Sequence, residues 1–125
     1  MKKGLSADFE EISHTADRAL HVWAPDLVSL FLTAAVGMNS LMKVDCLEEL
    51  PEEIRFDLSA DDLEGLLVAF LSEILYQMES SGHVFIITDL EVGYENLTGR
   101  LKACRSGVLS KEIKAVTYHN LRLQP

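Results

Sequence analysis

The sequence predicts an α+β domain in which a largely antiparallel sheet carries two helices packed on one face. Two amphipathic helical segments predict this class, together with a series of short alternating segments joined by turn-forming residues. A chain of 125 residues is one typical domain, so we expect residues 1–125 to form a single unit. Apolar residues make up 48% of the chain, which argues against intrinsic disorder.

The two helices are predicted by apolar residues that recur at intervals of three and four. The first stripe covers residues 27–42, with Asp26 as the N-cap. The second stripe covers residues 63–78, with Ser59 as the predicted N-cap. Gly82 is expected to end the second helix in a left-handed conformation.

Strands are predicted where apolar and polar residues alternate. Such segments occupy residues 9–12, 19–23, 54–58, 84–92, 97–103 and 113–123. The turn-forming residues 93–96 join two of them, which predicts a hairpin. Hairpin connections are the reason for expecting an antiparallel sheet.

The charge balance bears on the type of partner. Eleven Lys and Arg stand against twenty Asp and Glu, which gives a net charge of −9. A nucleic-acid-binding domain needs a basic stripe. The basic stripe formed here by Arg100, Lys102 and Arg105 is short and sparse. We therefore expect no direct binding of nucleic acid, and rather a metal ion, a basic protein or a small neutral ligand. The alternative is that the acidity only keeps the chain soluble.

Several features predict a cytoplasmic protein. The N-terminal lysines are followed by no apolar segment of a secretory signal, and the longest apolar run, residues 66–71, is too short to cross a membrane. The cysteines Cys46 and Cys104 lie in no CxxC motif, which argues against a disulfide framework or a structural zinc site. A reducing compartment is the resulting expectation.

Two polar segments contain candidate functional residues. In residues 13–17, Asp17 could bind a cation or cap its own turn, and His14 could act as a base, a metal ligand or a hydrogen-bonded edge residue. In a regular strand, Lys114 and His119 would lie on opposite faces, with Lys114 as an exposed edge charge. Glu73 lies beside the apolar stripe of the second helix, as a rim residue or as a ligand in a cleft.

Three segments carry a resemblance to a known family. They are ISHTAD at residues 12–17, the helical segment from Asp61 to Tyr76, and EIKAVTYH at residues 112–119. In order and spacing they resemble the archease family, the small protein cofactors of RtcB-type RNA ligases in tRNA splicing. The resemblance covers nearly the whole chain and implies an α+β sheet with two helices on one side.

The resemblance also implies a function. Archeases are non-enzymatic activators that promote guanylylation and multiple turnover of the ligase, and they bind a divalent cation, Ca²⁺ or Mg²⁺, partly through the residue matched by Asp17. His14, Lys114 and His119 fall within the matched segments and are the expected partner-facing residues. A chaperone-like modulator of an RNA-modifying enzyme and a metal-dependent hydrolase using Asp17, His14 and Glu73 are the alternatives.

The sequence departs from the family pattern at the second metal ligand. Archeases usually continue past IKAVTYH into a strand that ends in an acidic residue, which completes the metal site. No residue of this sequence matches that acid, so the site is incomplete, completed by another group such as Glu73, or lost. We expect any cation to bind weakly.

Overall fold

The elements of the fold confirm the α+β class. The structure is a computed structural model, and it describes residues 7–13, 18–42 and 44–106. Within these residues the elements are, in order, β1 (Asp8–Ser13), β2 (Arg18–Trp23), α1 (Leu27–Met42), β3 (Glu48–Ser59), α2 (Leu63–Ser81), β4 (Val84–Val92) and β5 (Asn96–Arg105). The strand predicted over residues 113–123 lies outside the described residues.

The described strands form two antiparallel sheets rather than one. β1 pairs with β2, and a second sheet has the strand order β3–β5–β4. Helix α2 packs on the three-stranded sheet, whereas α1 contacts the β1–β2 hairpin, β4 and α2. The β4–β5 hairpin is the one predicted from residues 93–96.

Helix α1 begins where the sequence predicts. The Oδ1 atom of Asp26 accepts a hydrogen bond from the backbone N–H of Ser29 at 2.8 Å, which satisfies one of the free donors of the first turn. The Ser29 backbone N–H, followed by the Ser29 side chain, holds the pKa of Asp26 below its ordinary value. Asp26 is therefore the N-cap.

Helix α2 begins later than predicted, with Asp62 and not Ser59 as its N-cap. Asp62 has an extended backbone, and its Oδ1 atom accepts the N–H of Gly65 at 2.7 Å. Ser59 is paired with Asn96 in the sheet, and the N–H of the next residue, at position 60, donates to the carbonyl of residue 95 at 2.9 Å. The sheet therefore engages the backbone at residues 59 and 60 and delays the helix.

The other end of α2 confirms the prediction for Gly82. This glycine has φ 77°, and its N–H donates to the carbonyl of Met78 at 2.9 Å.

Neither of the described helices has both the length and the apolar character that a membrane-spanning segment requires.

The core lies between α1, α2 and the three-stranded sheet. Both helices bury the stripes that their spacing predicted. At the centre, the Phe70 ring of α2 lies 5.6 Å from that of Phe31 and 6.0 Å from that of Phe56, measured between centroids. Buried side chains around these rings include Met42, Leu66, Leu97 and Leu101.

Strand β3 is longer than the predicted segment 54–58. Its first half contains four glutamates and Pro51, and the pairing with β5 shifts register between Glu49 and Glu53. Pro51 cannot donate to a sheet ladder and is tolerated at such an irregularity. The apolar alternation that marks a strand is absent there, and the length was missed for that reason.

Candidate functional site

The β1–β2 hairpin brings together the two ends of the segment that carries His14 and Asp17. The described pairing runs from Asp8 opposite Trp23 to Ser13 opposite Arg18. His14 and Asp17 themselves lie outside the described residues. The structure thus fixes the backbone on both sides of residues 14–17 and confirms the two predicted strands that flank them.

Helix α1 holds this hairpin at close range through Gly37. A Cβ atom at position 37 would lie 2.9 Å from Cδ1 of Leu20 and 3.2 Å from Cγ of Phe9, closer than real Cβ atoms usually approach. Glycine therefore permits the helix to approach both strands of the hairpin. The position of residues 13 and 18 relative to the core depends on this contact.

Glu73 is a half-buried residue of α2, as expected for a residue beside the apolar stripe. Its Oε2 atom accepts a hydrogen bond from Nε2 of Gln77, one helical turn later, at 2.7 Å. This bond occupies one carboxylate oxygen and leaves the other for a further ligand. Lys114 and His119 lie outside the described residues, so their role as partner-facing residues stays a prediction.

The residues that the structure describes do not by themselves form a cation site. Over residues 7–13, 18–42 and 44–106, the structure shows no group of three or more His, Cys, Asp or Glu side chains placed to hold a metal ion. Divalent cations such as Ca²⁺ take six or more oxygen ligands, so Glu73 alone is a poor site.

A disulfide bond joins Cys46 to Cys104, which corrects the expectation drawn from the cysteine count. The two residues are 58 positions apart in sequence, and their Cα atoms are 5.1 Å apart. They meet because β3 pairs with β5 through Glu49 opposite Cys104, and because the N–H of Leu47 donates to the carbonyl of Arg105 at 2.9 Å. In the chain-entropy model, a disulfide that closes a loop of this size stabilises the fold by about 4 kcal/mol.

An open cavity of about 460 Å³ lies beside this disulfide. Its lining comes from three elements: Phe9 of β1, Val36, Asn39 and Ser40 of α1, and Asp45 and Cys46 of the connection to β3. Val36 is 59% exposed, so part of the wall is an apolar surface open to solvent. No sequence pattern indicated this cavity, since its lining residues are scattered over three segments.

The basic residues of β5 are mostly neutralised by neighbouring carboxylates. Arg105 forms an ion pair with Glu48, and the guanidinium of Arg100 lies 4.0 Å from the carboxylate of Glu53. Both partners belong to the acidic first half of β3. The thin basic stripe seen in the sequence is therefore thinner still in the structure.

Comparison with known proteins identifies the family. The chain matches the model of the archease protein family over residues 9–125. This chain belongs to the archease family. A protein archease of Thermococcus gammatolerans is 33% identical over 127 aligned residues, which cover 93% of this chain and 87% of that protein. The archease of Methanosarcina acetivorans is 34% identical, with 93% and 86% covered.

A solved structure agrees with this assignment. The solution structure of Methanobacterium thermoautotrophicum protein 1598 has a TM-score of 0.58 and 25% identity, and the match covers 90% of this chain and 85% of that one. The resemblance drawn from the three archease segments is thereby confirmed. Over residues 7–13, 18–42 and 44–106, the archease fold has two helices and two antiparallel sheets.

Proposed function

We propose that this archease is a non-enzymatic, cytoplasmic activator of an RtcB-type RNA ligase, promoting its guanylylation and multiple turnover. The observation that supports the proposal is the family match over residues 9–125, which relates the chain to tRNA splicing. In this proposal Asp17 supplies a carboxylate for a weakly bound Ca²⁺ or Mg²⁺. His14, Lys114 and His119 face the ligase.

The surface charge supports a protein partner rather than RNA. The chain carries −9, and Glu49 and Glu52 of β3 are exposed carboxylates. A protein with few free cations gains little from releasing the counterions of RNA. An acidic surface complements a basic RNA-binding enzyme and accelerates association with it.

A ligation time course with tRNA halves in excess over the ligase tests the proposal directly. The expected result is continued product formation after the first turnover when the archease is present, and a plateau near one product per ligase when it is absent. The protein alone should form no product. If the time courses with and without archease coincide, the activator proposal is wrong. Product without ligase would indicate an enzyme instead.

Metal affinity is predicted to be weak. With Asp17 as the one matched carboxylate, we expect a Kd on the order of 10⁻⁴–10⁻³ M for Ca²⁺, as for sites with few charged ligands. Isothermal titration calorimetry with CaCl₂ and MgCl₂ measures this. Micromolar binding would contradict the prediction, and loss of that binding in Glu73→Gln would identify Glu73 as the additional ligand.

Lys114 is predicted to matter for guanylylation. Lys114→Glu should lower the rate at which the ligase is guanylylated, because a cation that faces a carboxylate or the nucleotide becomes a repelling anion. Lys102→Glu on β5 is the matched control, since it changes the net charge by the same amount. A rate equal to wild type would make Lys114 an ordinary edge charge, and equal losses in both variants would indicate a general charge effect.

A further inference from the structure

We propose that Cys46 is a thiol–disulfide exchange site, at which a dithiol reductant opens the bond to Cys104 and releases the connection between α1 and β3. The proposal is independent of the activator role, because none of its tests involves the ligase. It rests on the unequal surroundings of the two sulfur atoms and on the contacts that remain when the bond is broken.

The two cysteines differ in access. Cys46 is exposed, whereas Cys104 is 0% exposed and lies between two paired neighbours in the central strand. An incoming thiolate therefore reaches the Sγ atom of Cys46. Reactive sulfurs are the accessible ones, whereas buried sulfurs are inert.

The exchange balances as a two-electron reduction. A thiolate of the dithiol attacks Sγ of Cys46, the bond to Cys104 breaks, and the Cys104 thiolate takes up a proton. The second thiolate of the reductant then attacks the first sulfur of the reductant, which is bonded to Cys46 in the mixed disulfide. This attack forms the disulfide of the reductant. The Cys46 thiolate leaves and takes up a proton, so two protein thiols result.

The rest of the fold has other contacts to hold it. When the bond opens, β5 keeps its pairing with β4 and, from Glu53 to Ser59, its pairing with β3, whereas the N–H of Leu47 can leave the carbonyl of Arg105. The rings of Phe31, Phe56 and Phe70 at the centre of the core lie on α1, α2 and β3, and Cys104 can remain buried in this core as a thiol. Opening should therefore loosen the connection without unfolding the domain.

The released segment forms one wall of the cavity. Asp45, Cys46 and Leu47 are exposed, and Asp45 and Cys46 line the cavity together with Phe9 and Val36. Disulfides are rare in reducing compartments, so a cytoplasmic copy would carry the open form and oxidation would close it. The bond thus makes the shape of this cavity sensitive to redox conditions.

Thiol trapping and hydrogen exchange test the proposal on the full chain. After treatment with diamide, the protein should resist alkylation by N-ethylmaleimide even when denatured, and its mass should be lower than that of the reduced protein by two hydrogen atoms. After dithiothreitol, the folded protein should be alkylated once, at Cys46, and the denatured protein twice.

Hydrogen exchange should show where the opening acts. The amides of residues 45–48 should exchange faster in the reduced form, those of α2 should stay protected, and the melting temperature should fall by roughly 10 °C. Cys46→Ser, at the exposed position, should match the reduced protein and be insensitive to dithiothreitol. Two alkylations after diamide, unchanged exchange at residues 45–48, or loss of protection throughout α2 on reduction would each overturn the proposal.

Discussion

Replacing Phe70 with alanine is expected to lower the free energy of unfolding by about 3–5 kcal/mol. The side chain is 0% exposed, and its ring lies between those of Phe31 and Phe56. Phe70→Ala therefore removes a large buried group and leaves a cavity that rings from two other elements cannot both fill. Since a domain of this size is stable by roughly 5–15 kcal/mol, the loss is a large share of the total.

Urea denaturation followed by circular dichroism measures this loss. The midpoint should fall strongly while the m-value stays near that of the wild type, as for a change of stability alone. Tyr76→Ala on the same helix is the matched control, because Tyr76 is 62% exposed and its loss should cost less than about 0.5 kcal/mol. Equal midpoints for the two variants would contradict the assignment of Phe70 to the centre of the core.

The helices could be predicted because their burial repeats along the chain. A helix that packs on one side must place apolar residues every three or four positions, and residues 27–42 and 63–78 do so. Asp26 and Gly82 were also predictable, since a side-chain acceptor and a residue with positive φ are local needs of helix ends. The predicted N-cap at Ser59 was wrong because pairing with Asn96 is a tertiary contact.

The arrangement of the strands was less predictable than the strands themselves. Alternation gave the β4–β5 hairpin, but the order β3–β5–β4 places β3 beside a strand that follows it by a whole helix and another strand. The acidic half of β3 carries no apolar alternation and lies outside the predicted strand 54–58. Its pairing with β5 depends on backbone hydrogen bonds. Every residue type except proline can donate such a bond, so the side chains of this segment give no sign of the pairing.

The disulfide shows the limit of reading cysteines by count. Cys46 and Cys104 have neither the spacing nor the number of cysteines that is typical of a disulfide framework, so the sequence argues against such a framework. A single bond needs only two Cα atoms at a suitable distance, which β3–β5 pairing provides at 5.1 Å. The sequence did not predict that β3 pairs with β5, nor the register of that pairing. The two cysteines could therefore not be placed beside each other from the sequence.

The candidate site residues come mainly from the resemblance, and they stay a prediction. The matched segments contain His14, Asp17, Lys114 and His119, but the residue pattern alone left an ordinary structural alternative open for His14, Asp17 and Lys114. The described hairpin supports one part of the argument, because Ser13 and Arg18 are paired on either side of residues 14–17. The contact of Gly37 with Leu20 and Phe9 is a positioning feature that no sequence motif indicated.

Replacing Asp17 with alanine is expected to stop multiple turnover of the ligase while the archease stays folded. Asp17 is the carboxylate that the family resemblance matches to a metal ligand, and it directly precedes the paired residue Arg18. Loss of this ligand should lower the turnover rate by at least roughly 10- to 100-fold, since changing even the residues that orient metal ligands typically costs that much. Because residues 13–17 are small or polar, we expect Asp17 outside the core, and the free energy of unfolding should change by no more than about 0.5 kcal/mol.

A tRNA ligation assay with substrate in excess, run beside thermal melts, separates the two roles of Asp17. Asp57→Ala is the matched control, because Asp57 is an exposed carboxylate on β3 and its replacement changes the charge equally. Asp17→Asn keeps the size and most of the hydrogen bonding of a turn residue but removes the charge. If the carboxylate binds a cation, both Asp17 variants should lose turnover while Asp57→Ala retains it.

A different pattern would show that Asp17 only caps its own turn. In that case Asp17→Ala should lower the melting temperature in the absence of metal, Asp17→Asn should restore it, and turnover below the melting temperature should equal that of the wild type. Turnover and melting temperature together separate the two roles. If Asp17 binds a metal, Asp17→Asn should lower turnover, whereas if Asp17 only accepts a hydrogen bond in its turn, Asp17→Asn should leave the melting temperature nearly unchanged. Normal turnover with both variants would remove Asp17 from the functional site.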